Sequence, residues 1–320
     1  MSAFAQQLPL PQLSHQQSTM QQQQNQQSQQ GMHTPQMAHQ AVHGGLQSSL
    51  QGAMASPQIS TLAGTLIREV WKSNFEQEMH VLRELVERYN YISLDSEFPG
   101  IVARPIGSFK TTTDYHYQTL RCNVDLLHVV QLGITFADEH GNHPEGLPST
   151  WQFNFKFSLR DEMYSADSID LMTKSGIEFK KHEEFGIEPF AFAELFISSG
   201  LVLEDSVRWI SYHSGYDFGY LISMMMSTPL PEEEEEFLNL VKLFFPSLYD
   251  VKYMLRSATS KSVKGGLQEL ADELRIMRVG PAHQAGSEAL LTNSCFFELL
   301  KFTSEGSEEA YANQIWGLVA

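Results

Sequence analysis

Charge is missing from the opening stretch of this chain. Met1 to Ile67 contains no Asp, Glu, Lys or Arg, and glutamine dominates it, including the run Gln21–Gln24. It also has few regularly placed apolar groups to offset chain entropy. Residues 1–64 are therefore expected to be a disordered, Gln-rich low-complexity arm, with an ordered domain over 65–320. Cysteine is nearly absent as well: Cys122 and Cys295 are the only two. Two lone thiols exclude a zinc-finger spacing and a disulfide framework, and they suit a reducing compartment. No uninterrupted apolar stretch reaches the length of a membrane span, and Met1 to Pro9 lacks the basic start and apolar run of a secretion signal. The expectation is a soluble, intracellular protein with no membrane partner. Basic side chains are scarce, 21 Lys and Arg against 38 Asp and Glu, and the formal charge of −17 is carried entirely from Arg68 onward. That balance excludes a nonspecific electrostatic grip on nucleic acid. Any such ligand must be held through bound cations and local basic residues.

What is present is a patterned domain. Ile67, Val70, Trp71, Phe75, Met79, Leu82 and Leu85 recur at three- and four-residue intervals, which predicts one amphipathic helix. Tyr91 to Phe98 reads as a strand stopped by Pro99-Gly100, and Val129–Phe136, Trp151–Phe157 and Val207–Tyr212 read as further strands. Helical spacing covers Pro189–Ser199, Asp217–Ser227, Glu232–Phe245, Gly266–Leu274 and Glu288–Phe302. Strands first, then strands alternating with helices, give an α/β class: a mixed sheet covered by helices.

Three acidic pieces carry chemistry. Asp95 and Glu97 lie two apart on one strand, so both side chains share a face. Two carboxylates so placed repel unless a cation sits between them, and as hard oxygen ligands they suit magnesium or manganese rather than zinc. A solvated strand end is the alternative reading. Asp217, after the apolar strand and His213-Ser214-Gly215-Tyr216, opens a helix, where capping alone explains it. His283 precedes a helix whose first turn holds Glu288, with Ser287 as the expected N-cap; capping is again the alternative reading of Glu288. Three such pieces, each at the end of an element, are hard to assign to chance. The run Glu232–Glu236 follows Pro231 at a helix start and reads as dipole-complementing acid, and the stripe Phe190, Phe192, Ala193, Phe196 and Ile197 reads as mostly core.

The stretches DSEFPGIVARP, DYHYQTLRCNVD, WQFNFKF, LMTKSGIEFKKHEE, HSGYDFGYL, FFPSLYDVKYM, KGGLQELADEL and GPAHQAGSEALLT carry a resemblance. Over about residues 67–318 the chain resembles the DEDD-type 3′-to-5′ exonucleases of the His-containing branch. More closely, it is similar to the Caf/Pop-type deadenylase subunits of the Ccr–Not complex. The resemblance implies a ribonuclease H-like fold and removal of 3′-terminal adenylates from the poly(A) tail of mRNA, releasing AMP. It further implies two divalent cations, Mg2+ or Mn2+, a scaffold and a second nuclease subunit as partners, and work in cytoplasm and nucleus. The family's acids fall on Asp95, Glu97, Asp217 and Glu288, and its general base on His283. Asp95 would bridge both ions, Glu97 and Glu288 would complete the site of the nucleophile, and Asp217 would serve the other ion. Phe98 is offered as a stacking partner for the terminal base, or as core. The sequence departs from the family at Glu288, where Asp is usual. A longer arm at a ligand position leaves open a catalytically impaired adaptor, and the fold would also accommodate a proofreading-type DNA exonuclease.

Overall fold

The computed structural model describes residues 66–258, 265–302 and 308–318. The Gln-rich arm and its boundary at residues 64 and 65 lie outside these. The first strand departs from the sequence pattern. Ile67–Val70 is not helical but forms strand β1, which pairs in parallel with β4 (Thr150–Asn154), Arg68 lying opposite Trp151. The helix α1 covers only Phe75–Leu85. Asn74 makes the break: its side chain accepts from the Trp71 amide at 2.8 Å and donates to the Glu69 carbonyl at 3.0 Å. Such side-chain bonds offer the backbone an alternative to the helical ladder.

Then follow β2 (Tyr91–Glu97), α2 (Thr112–Val124), β3 (Gln131–Ala137), β4, α3 (Ala166–Lys174), α4 (Phe179–Phe185), α5 (Pro189–Ile197), β5 (Arg208–Ser211), α6 (Gly215–Met226), α7 (Glu234–Phe244), β6 (Leu248–Asp250), α8 (Val251–Ala258), α9 (Leu267–Glu273) and α10 (Ala285–Leu300). The six strands order as β1-β4-β3-β2-β5-β6. β2 is antiparallel to β3 and parallel to β5, which is parallel to β6. This is the mixed sheet expected of a ribonuclease H-like fold. Parallel neighbours β2, β5 and β6 end at one edge of the sheet, the edge where open α/β sheets carry their sites.

Pleating sorts β2 into two layers. Ile92 and Leu94 enter the larger apolar core with Trp209, Phe218 and Leu221, beneath α1, α5, α6 and α7. On the other face, Ile210, Leu291, Cys295 and Phe296 form a second core, with Tyr91 packed against it. There the Ser93 hydroxyl donates to the Ala289 carbonyl of α10 at 2.8 Å. Within the aromatic stripe of α5, Phe192, Ala193 and Phe196 are buried, while Phe190 is 70% exposed. Among the described residues no helix is long and apolar enough to cross a membrane.

Candidate active site

Asp95 and Glu97 occupy the last turn of pleat in β2, opposite Gly133 and Gln131 of β3. They share the face that carries α10. The start of α10 lies directly on β3 at Gly133, where a Cβ would run into the backbone of Ala285 and Gly286. Only glycine permits that approach. Helix starts leave N–H groups unpaired, and here the sheet itself supplies acceptors. Gln131 Oε1 accepts from the Ala285 amide at 3.3 Å, and Gln152 Oε1 from the Gly286 amide at 2.8 Å. Gln131 donates to Asn154 at 2.8 Å, Asn154 to Glu69 at 2.7 Å, and Gln152 to Glu69 and Gln284 at 2.9 and 3.0 Å. Sequence reasoning assigned none of these amides. Polar residues interrupting fully buried strands were the available signal, since a buried amide must be paired.

Ser287 is not the N-cap expected of it. The helix begins earlier, after Gln284, and the Ser287 hydroxyl donates to the Val279 carbonyl at 2.8 Å. Glu288 is therefore in the first turn, and its carboxylate turns back over the entering chain. Arg278 meets it with both terminal nitrogens, at 2.8 Å on Oε1 and 3.0 Å on Oε2, with both side chains largely buried. The His283 amide donates to the same Oε1 at 2.9 Å. His283 itself stands in the left-handed region at φ 60°, its carbonyl accepting from Ser175 Oγ at 2.9 Å and its ring side exposed.

Asp217 arrives from the opposite layer. It is buried in the first turn of α6, and Ser96 Oγ donates to its Oδ1 at 2.6 Å. The turn that delivers it is knotted by Asp250, a buried carboxylate that accepts from the His213 and Lys252 amides at 3.0 Å and from Trp316 at 3.0 Å. Asp250 too was missed from sequence. Phe98 stacks on Tyr216 at 4.9 Å and tilts on Tyr220 at 5.3 Å, so its ring is engaged with α6.

The sheet edge thus gathers Asp95, Glu97, Asp217 and Glu288 into one electrostatic neighbourhood. Burial first, then the charges of Asp217, Glu97 and Glu288, push Asp95 well above the usual carboxylate range. Burial and Glu288 push Glu97 up to about 8. Burial pushes Asp217 up to about 6, against the opposing Ser96 hydrogen bond. Arg278 is the cation whose field offsets the charge at Asp95 and Glu97. Four acids facing one base leave an excess of negative charge, and an all-oxygen donor set suits a hard divalent ion. The fit is electrostatic rather than a finished cage. Among the described residues, no group of three or more His, Cys, Asp or Glu stands at ion-binding spacing. Arg278 engages both oxygens of Glu288, and Ser96 engages Asp217.

Carboxylates at the carboxyl end of β2, with Asp217 beside them on a ribonuclease H-like sheet, make this the candidate active site. Residues 70–194 and 199–296 match the family described as CAF1 family ribonuclease, and the chain belongs to that family. It is 54% identical over 253 residues to the poly(A) ribonuclease pop2 of Schizosaccharomyces pombe, covering 79% of this chain and 75% of that one. The solved structure of S. pombe Pop2p in its Mg2+- and Mn2+-bound form aligns with a TM-score of 0.76 at 53% identity, over 79% of this chain and 100% of that chain. Yeast CAF1 co-crystallized with the NOT1 MIF4G domain aligns with a TM-score of 0.67 at 36% identity, over 83% and 100% of the two chains.

Proposed function

We propose that this chain is a poly(A)-specific 3′-to-5′ exoribonuclease, a deadenylase of the Ccr–Not type. The observation that supports the reading is the mutual electrostatic influence of Asp95, Glu97, Asp217 and Glu288, carried by three separate elements. The 54% identity to a protein named poly(A) ribonuclease supports the substrate, and the Mg2+- and Mn2+-bound relative supports the ions.

Asp95, Glu97, Asp217 and Glu288 would hold two divalent cations. When bound, such ions activate the attacking water and offset charge at the leaving 3′ oxygen. Asp95, reached by the charge of the other three acids, would serve both ions. Asp217 is fixed by Ser96 from the α6 side, and Glu288 by Arg278 from the α10 side. His283, exposed on the turn that Glu288 ties down, would take the proton from the attacking water at its imidazole, the side chain suited to proton transfer near neutral pH. Neutralising the acids also removes the repulsion an RNA phosphate would otherwise meet on so acidic a chain. The relative co-crystallized with NOT1 supports a scaffold subunit as partner.

A second reading, an adaptor with an impaired site, is favoured by one observation: both oxygens of Glu288 are already engaged by Arg278. Incubation with end-labelled poly(A) RNA and Mg2+ or Mn2+ separates the two. A ladder of shortened products and released AMP is expected. No ladder from the wild type, where Glu288→Asp produces one, overturns the deadenylase in favour of the adaptor. Faster shortening of oligo(dA) than of poly(A) would favour the DNA exonuclease.

A further inference from the structure

We infer that Arg278 is a positioning residue whose guanidinium fork sets how Glu288 can ligate and ties that carboxylate to the turn bearing His283. The inference rests on the ion-binding reading of the four acids.

Lone-pair accounting leads to it. A carboxylate offers about four acceptor sites, two on each oxygen. Glu288 Oε1 receives Arg278 Nη1 at 2.8 Å and the His283 amide at 2.9 Å, which fills it. Oε2 receives Arg278 Nη2 at 3.0 Å and keeps one direction free. Glu288 is thereby a one-oxygen ligand through Oε2, held at a fixed orientation. The fork is itself oriented: Arg278 Nε donates to Gln268 Oε1 at 2.6 Å, and Nη1 reaches Ser287 Oγ at 3.2 Å. The extra methylene of glutamate fits this arrangement, since the carboxylate must reach back to a backbone amide five residues earlier and to the fork together. Because one oxygen serves both Arg278 and the His283 amide, loosening the fork loosens the left-handed turn at His283. Partners that hold a ligating carboxylate ordinarily change ion affinity by about 10–100-fold when removed.

Arg278→Lys keeps the charge and loses the fork. It is expected to weaken Mn2+ binding about tenfold by calorimetry or electron paramagnetic resonance. It should also lower kcat on poly(A) with little change in KM, and speed hydrogen exchange at the His283 amide in chelator, a readout needing no ion. Gln268→Ala, at an exposed position, should shift the same readouts two- to fivefold in the same direction and covers the case that Arg278→Lys does not fold. Wild-type affinity and exchange in both variants, or in Gln268→Ala alone if Arg278→Lys does not fold, overturn the inference. Tighter Mn2+ binding in either variant overturns it too, by making Arg278 a competitor of the ion. Failure of the wild type to bind Mn2+ would instead overturn the ion-binding reading beneath it.

Discussion

Gly133 lies beneath the Ala285 carbonyl so closely that a methyl group in place of its hydrogen would occupy the same space as that backbone. Because Gly133 is the β3 partner of Asp95, this contact sets the height of α10 above the first acid of the site. Gly133→Ala must push the helix start outward. Backbone overpacking costs about 1–3 kcal/mol or more, so a melting temperature several degrees lower is expected. Poly(A) shortening should fall more steeply than stability, since Glu288 moves with the helix. An unshifted melting curve with full activity would show that the helix start yields freely.

Gln131 and Gln152 accept from N–H groups of the same helix start from within the sheet, and Asn154 accepts from Gln131 and so holds it. Gln152→Leu leaves the buried Gly286 amide without its acceptor and takes one donor from the exposed Glu69, which Asn154 still reaches; an unmade buried bond costs about 1–3 kcal/mol. Urea unfolding should show a loss of that order. The Glu97 and Asp217 side chains are untouched, so residual activity per folded molecule is expected to persist.

Glu288→Gln removes the charge that faces Arg278 and leaves a mostly buried guanidinium without its carboxylate. Breaking such a pair by removing one partner costs about 3–5 kcal/mol, and the unfolding midpoint should fall accordingly. Stability equal to the wild type would mean the pair contributes little.

The carboxylates also set a pH dependence. Glu97 is held up at about 8 and Asp217 at about 6, above their ordinary values. The folded chain therefore holds these protons more tightly than the unfolded chain. The stability they contribute is complete at low pH, below the ordinary carboxylate range, and is lost as pH rises through 6 and then 8. In chelator, the melting temperature should decline across that window, and Glu97→Gln should remove its upper part. Cation binding must expel the same protons, so the heat of Mn2+ binding near pH 7 should vary with the ionisation heat of the buffer. A flat melting profile and buffer-independent heat would contradict these shifts.

Legibility in the sequence followed the range of the interactions. β2 and β5, with α5, α6, α7 and α9, were readable within a few residues because their apolar spacing is local. Asp95, Glu97, Asp217, His283 and Glu288 stand out in the sequence because each ends an element and matches a family motif. The sequence of β1 reads as helix because its apolar residues continue the spacing of α1; pairing with β4 and the Asn74 side chain override that pattern. The same holds for Ser287, whose hydroxyl finds the Val279 carbonyl instead of a cap. Arg278, Asp250 and the amides of β3 and β4 act through partners remote in sequence or on the backbone, and no spacing rule announces them.

The central claim is that mutually repelling acids are gathered at this sheet edge to hold cations. Mn2+ titration of the folded chain, followed by electron paramagnetic resonance, tests it most directly. Two bound ions in the wild type, with the signal of bound Mn2+ largely lost in an Asp95→Ala variant that melts no lower in chelator, is the expected result. A folded wild-type chain that leaves Mn2+ entirely free, or an Asp95→Ala variant that binds it equally well, would contradict the account.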